Sequence, residues 1–268
     1  MTTLSDHAAA GPAGEPAVEV RGITKRFGSV LALRGADLVL RRGEVLGLVG
    51  DNGAGKSTLV HVISGSIQPS SGEILIAGRH VEFHSPTDAR RYGIETVYQD
   101  LALAPDLSVW ANLFLGREKL IRGPLRYLGW LDRKSMQAEA GTDLERTRIR
   151  IGSVGSLVGK LSGGQRQAVA VGRAVAWGSR VLLLDEPTAA LGVEQQAKVG
   201  ELVRSVAATG LPVLLISHNL PQVHEICDRV AVMFQGRIIA DLRTEETSID
   251  EIVSWITGAA LLSGGKPA

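Results

Sequence analysis

The sequence predicts an α/β fold. Continuous apolar runs at Val181 to Leu184, Val213 to Ile216 and Val230 to Phe234 are of the kind buried on both faces of a parallel sheet. Helix-like segments alternate with these strand-like ones, and a glycine-bearing turn, Gly50 to Gly55, leads from an apolar strand into a helix. The chain has 268 residues, 44% of them hydrophobic, which is enough for a large core and excludes a disordered or collagen-like chain. With 29 basic and 28 acidic side chains the formal charge is +1, so the balance does not mark a nucleic-acid binder or a strongly electrostatic membrane-surface protein. A single cysteine cannot form an internal disulfide and fits a reducing compartment. The longest apolar runs are strand-sized, too short to span a bilayer.

Residues 1–17 are small, polar or rich in Gly and Pro, and read as a disordered tail without a signal-peptide pattern. β-prone stretches follow at Val18 to Ile23, Val30 to Leu40 and Glu44 to Val49, separated by Gly28, Gly35 and Gly43, so a sheet opens the fold. A helix starts near Lys56, a strand covers Gly72 to Ala77, a helix begins at Pro86 and a strand ends near Tyr98. From about residue 101 to 165 the texture turns helical, with Ser108 to Leu115 and Asp132 to Ile149 as helices, which reads as an inserted helical subdomain. Residues 259–268 read as a C-terminal tail, leaving one domain over 18–258 without internal repeats.

Gly50-Asp51-Asn52-Gly53-Ala54-Gly55-Lys56-Ser57 matches G-x-x-x-x-G-K-[ST] after an apolar strand and before a helix. Gly50, Gly53 and Gly55 let the backbone curl so that successive N–H groups, among them those of Asp51, Asn52 and Ala54, face a phosphate, and the helix N-terminus adds its partial positive charge. Lys56 reaches the β- and γ-phosphates in this pattern, Ser57 supplies a hydroxyl for Mg²⁺, and Thr58 supplies a further donor. Val181 to Glu186 is an apolar strand ending in two acids. In a parallel sheet the ligand lies outside the carboxyl ends of the strands, which suits Asp185 to a Mg²⁺ shell and Glu186 to polarising a water.

Leu161-Ser162-Gly163-Gly164-Gln165, upstream of Asp185-Glu186, resembles the signature of the ATP-binding cassette (ABC) ATPases; such a string arises by chance in roughly one chain of this length in ten thousand. The resemblance runs over almost the whole chain from Val18. It implies a P-loop ATPase of the ABC type: a mixed sheet core with an N-terminal antiparallel β-subdomain and an inserted α-helical subdomain. It also implies ATP and Mg²⁺ as ligands. Phe27 resembles the adenine-stacking aromatic; taken by itself it reads more readily as a core residue, and its order relative to the strong motifs favours the stacking role. Gln99 resembles the Q-loop glutamine, a Mg²⁺ ligand with a catalytic part, and His218, after Ser217, resembles the switch histidine.

In the resembled family the signature of one subunit closes over the nucleotide of another, so one phosphate loop and one signature imply an ATP-dependent dimer of two copies. The segments Val97 to Leu103, Ala111 to Glu118 and Thr188 to Gly192 are similar to those of ATPases of ribose, xylose and fructose importers. This implies integral membrane permease subunits as partners, a sugar-binding protein indirectly, no nucleic acid, and a peripheral place on the cytoplasmic face of the bacterial inner membrane. A non-transport ABC ATPase is the other reading; the chain lacks a coiled-coil insertion, a Cys-rich module, a second cassette and a basic excess. Gly192 stands where this family usually has Asp.

Overall fold

The computed structural model describes residues 15–262 except 122, 124–126, 128, 147, 148, 150, 179 and 190. Two sheets form. β1 (Pro16–Phe27), β2 (Val30–Arg41), β4 (Ser71–Ile76) and β5 (Arg79–Val81) make an antiparallel sheet in the order β2-β1-β4-β5. The second sheet runs β10-β9-β3-β8-β7-β6, from β3 (Val45–Val49), β6 (Ile94–Val97), β7 (Val181–Asp185), β8 (Val213–Ile216), β9 (Arg229–Phe234) and β10 (Arg237–Arg243). It is parallel except for the β9–β10 pair. Every residue of β3, β7 and β8 is buried, as their continuous apolar sequences require.

Alternation along these strands divides two cores. Leu46, Leu48 and Leu183 face a cluster shared with the antiparallel sheet and with Leu59 and Ile63 of helix α1 (Lys56–Ile63). Val45, Val49, Leu182 and Leu184 face the other way, towards α5 (Gly163–Trp177), α6 (Val193–Ala207), α7 (Leu220–Ile226) and α8 (Ile249–Ile256). Helix α2 (Pro86–Arg91) enters β6 and starts with Pro86 at its first position and a Ser85 cap.

A third cluster belongs to the helical region between β6 and β7. It gathers Val109, Leu113 and Phe114 around α3 (Val109–Leu113) with Met136, Ala140 and Leu144 of α4 (Arg133–Arg146). Trp177, the last residue of α5, donates its indole N–H to the Leu113 carbonyl at 2.7 Å and sets its ring edge-on to Phe114 at 5.5 Å. Helix α5 thus contributes to two cores at once.

Two expected boundaries need correction. Pro16 and Ala17, inside the expected N-terminal tail, are in β1: Pro16 pairs with Arg41, and Ala17, 4% exposed, accepts from the Ala77 amide. At the other end Ala259–Leu262 form helix α9, anchored by the buried Ala260, where a tail is expected. In both places small residues carry little hydrophobic pattern, so partners distant in sequence decide the outcome.

At the edge where β3 and β9 begin, Arg229 donates to Glu44 at 2.8 Å and to Asp241 at 2.5 Å, while Asp228 accepts from the Val45 amide at 2.7 Å. These ties pin β9 to β3. Between them lies Cys227, 3% exposed, whose thiol burial and the neighbouring Asp228 push well above the usual range. Its reaction with a thiol reagent is therefore expected to wait for opening of the fold and to run at least about a thousandfold slower than in denaturant; timed labelling followed by mass spectrometry checks it.

Candidate functional site

The ladder registers bring the expected residues to one sheet edge. Leu48 of β3 pairs with Ile216 of β8, Ile216 with Asp185 of β7, and Leu184 with Val97 of β6. The segments beginning at Gly50, Glu186, Ser217 and Tyr98 therefore leave the sheet side by side, and Gln99 stands exposed just beyond β6. Electrostatics reports the same grouping: Lys56 feels Glu186, Asp51 and Asp185.

The loop Gly50–Gly55 wraps tightly because its glycines permit it. A Cβ on Gly50 would stand 2.2 Å from the Met233 carbonyl oxygen, and one on Gly55, at φ 111°, would stand 2.9 Å from that of Ala32. Asp51, Asn52 and Gly53 form the exposed crest, and Ala54 is buried beneath it, its amide donating to Asp51 at 3.1 Å. Lys56 crosses the loop and donates to the carbonyls of Gly50 at 2.8 Å and Asp51 at 3.0 Å. Burial holds its ammonium below the usual lysine range, with the nearby carboxylates opposing the shift. No side chain caps α1, so the first-turn amides of Lys56, Ser57 and Thr58 remain for a ligand.

Across the edge Asp185 is 9% exposed, and burial, then the charge of Glu186, raise its carboxyl above the ordinary range. Glu186 sits at φ 53°, a conformation costly for a side chain of its kind, and its amide donates to the Ile216 carbonyl at 3.0 Å. Its Oε2 lies 2.5 Å from His218 Nδ1. With an ionised Glu186, which only accepts, Nδ1 is the donor in this contact. The glycine cradle, an uncapped helix start, one ammonium and a buried carboxylate opposite fit a nucleotide phosphate with a hard divalent cation. Ser57 and Asp185, and Gln99 from the neighbouring strand end, carry oxygen donors of the kind Mg²⁺ takes.

Phe27 ends β1 and is 48% exposed, with Lys25 Nζ 5.2 Å from its ring centre, so it is not a core residue. Leu161–Gln165 lie elsewhere. Ser162 caps α5 through a reciprocal pair, its Oγ accepting from the Gln165 amide at 3.2 Å and its amide donating to Gln165 Oε1 at 3.0 Å. Gly163 and Gly164 fit against Leu191 and Gln195. Among the described residues no hydrogen bond or ion pair joins 161–165 to 50–58.

Three solved or curated likenesses and one family match now bear on this geometry. The ABC transporter family model matches residues 33–189. The chain belongs to the ABC transporter family. As an ABC ATPase cassette it is 47% identical over 251 residues to the fructose import ATP-binding protein FrcA of Rhizobium meliloti, covering 92% of this chain and 96% of that one. It is 42% identical to the ribose import ATP-binding protein RbsA 3 of Rubrobacter xylanophilus, where it covers 91% of this chain but spans only 48% of that longer one. A nucleotide-free ATP-binding cassette from an ABC transporter shares the fold with TM-score 0.77 at 27% identity, covering 93% of this chain and 98% of that one.

The cassette also holds contacts that sequence reading missed. Arg173 of α5 donates to the carbonyls of Leu101 at 2.9 Å and Ala102 at 2.7 Å, just after Gln99. Gln196 donates to the Leu191 carbonyl at 3.0 Å and accepts from Asn219 at 2.9 Å, while Thr188 donates to Gln222 at 2.7 Å. These join the segment after Glu186 to the one after His218. Neither set has a local sequence signal, because apart from Gln196 and Leu191 the partners lie more than twenty residues apart.

Lys56→Ala removes the only cation on the loop and is expected to weaken ATP binding by roughly tenfold to a hundredfold, the worth of a charge-assisted hydrogen bond. Titration calorimetry measures the loss, and a thermal melt within a few degrees of the parent's shows that the loop's fold survives.

Proposed function

We propose that this ABC ATPase is the ATP-hydrolysing subunit that powers import of a monosaccharide through a separate permease. The observation that carries the reading is end-to-end similarity at 47% identity to a fructose import and to a xylose/arabinose import ATP-binding protein, the latter from Sulfolobus acidocaldarius. The match spans 96% and 95% of those two proteins, against 48% of the ribose import protein RbsA 3. A non-transport role has no comparable support.

In this reading residues 16–262 act as one ATPase unit and 101–165 face the permease. Phe27 stacks the adenine, and the amides of 50–58 with Lys56 hold the phosphates. Ser57, Asp185 and Gln99 would hold Mg²⁺, which when bound draws charge from the β- and γ-phosphates. Glu186 takes a proton from the attacking water as its oxygen bonds to the γ-phosphorus, and the bond to ADP breaks. His218 keeps Glu186 aimed through the 2.5 Å contact.

The separation of the signature from the loop supports completion of the site by a second copy. There Ser162, Gly163 and Gly164, flanked by Leu161 and Gln165, meet the γ-phosphate across the dimer. A dimeric ATP-binding cassette bound to ADP and Pi has the same fold, with TM-score 0.70 at 25% identity over 85% of this chain and 98% of that one. The subunit then sits peripherally on the cytoplasmic face of the inner membrane, with a sugar-binding protein serving the permease from the other side.

Glu186→Gln is expected to keep ATP affinity, lower turnover at least about a hundredfold, and convert monomer to an ATP-trapped dimer in size-exclusion chromatography. Unchanged turnover overturns the assignment of the base. Failure to co-purify with a multispanning membrane protein overturns the transport reading.

A further inference from the structure

Behind the catalytic edge a set of polar side chains closes on itself. Gln196, in the first turn of α6, is half-buried, and both ends of its amide are in use. Its Nε2 donates to the Leu191 carbonyl at 3.0 Å and to that of Thr188 at 3.4 Å, and its Oε1 accepts from Asn219 Nδ2 at 2.9 Å. Asn219 Oδ1 accepts from the Gln222 amide at 3.2 Å, which caps α7, and the Gln222 side chain donates to the Gln196 carbonyl at 3.2 Å. Thr188 completes the ring, its Oγ1 donating to Gln222 Oε1 at 2.7 Å.

Only one placement of the Gln196 amide fits. Reversed, its oxygen would face the carbonyl oxygens of Leu191 and Thr188, and its N–H groups would face those of Asn219. Thr188 and Gln222, 3% and 7% exposed, keep the inner bonds of the ring away from competing water. Gly192, the cap residue of α6, brings no side-chain hydrogen bond, so the grip on this turn comes from inside the helix.

The ring begins and ends beside the catalytic pair. Thr188 stands two residues past Glu186, and Asn219 follows His218 directly. Glu186 holds φ 53°, a conformation that persists only where the surroundings over-determine it. Its contact with His218 is too weak to do so alone: the imidazole is 69% exposed, and an exposed charged pair contributes little. Something must fix the two strand ends relative to each other, and the ring of amides joins them.

We propose that Gln196 and Asn219 form a clamp that sets the segment after Glu186 against the segment after His218, which makes both of them positioning residues for ATP hydrolysis. The proposal rests on the assignment of Glu186 as the base and adds the element that keeps the base aimed. The clamp acts through the Glu186–His218 contact: with the Gln196–Asn219 bond cut, the two strand ends no longer hold one spacing and the carboxylate loses its imidazole partner. None of residues 50–58 belongs to the ring, so the grip on ATP is untouched.

Two substitutions cut the same bond from opposite ends. Gln196→Met keeps the length of the side chain and removes its amide, while Asn219→Ser keeps a cap for α7 but is too short to reach Gln196. In steady-state ATP hydrolysis by the full chain, each is expected to lower kcat about tenfold with KM for ATP within about twofold of wild type. The double variant loses no more than either single one. In a His218→Ala background the same substitutions change kcat less than about twofold, because the contact they serve is gone. Lys198→Gln, on the exposed side of the same helix, leaves kcat unchanged. The proposal is overturned by unchanged kcat in either single variant, by additive losses, or by an equal loss with His218 removed, which would show that the ring only ties α6 to α7. Retained turnover in Glu186→Gln overturns the base and the clamp with it, whereas lost turnover there beside silent clamp variants overturns the clamp alone.

Discussion

Because β6, β7, β8 and β3 run parallel and hold one register, chemistry written at four distant places in the chain is delivered to a single edge. The alternation of side chains makes this register rigid: a slip of one residue in β7 would send Leu182 and Leu184 to the wrong core and turn Asp185 to the opposite face. The two apolar clusters on either side of the sheet thus enforce the site's geometry as well as the fold's stability. Burial does further work at the edge itself. It lowers the cationic preference of Lys56 and raises the carboxyl of Asp185, so both groups are held in a state that a bound phosphate and a divalent cation would relieve.

The phosphate loop, the acid pair and the helix-capping signature were legible in the sequence because each is a local device, with residue types and spacing fixed by backbone geometry. The strands were legible for a similar reason, since runs such as Val181 to Leu184 admit little besides full burial. Phe27 taken alone pointed to a core, and only its order relative to the other motifs favoured an exposed role; its place at the tip of the β1–β2 hairpin leaves it exposed. The ends of the domain were also misread, as Ala17 and Ala260 are buried by neighbours their own sequence does not announce. The polar links of Thr188, Gln196, Asn219 and Gln222 were invisible because each partner comes from a different element.

Gly192 shows how such links reshape a motif. It caps α6 with no side chain of its own, and Gln195 Oε1 occupies the space where a Cβ would stand, 2.8 Å away. Gln196, one residue on, holds the Leu191 carbonyl. The turn before α6 is therefore organised from the helix backwards, without a carboxylate at its first position.

Arg173 reaches across from the signature helix to two main-chain oxygens, those of Leu101 and Ala102. The joint reads main chain only, but Leu101 and Ala102 hold φ of 59° and 44°, so residue type there is still limited by the backbone. Ala102 is exposed, so its side chain can change the outward face while the tie to α5 is kept, whereas Leu101 packs against the core. The tie that anchors this segment to α5 and the side chain it shows to solvent at 102 are thereby separate features.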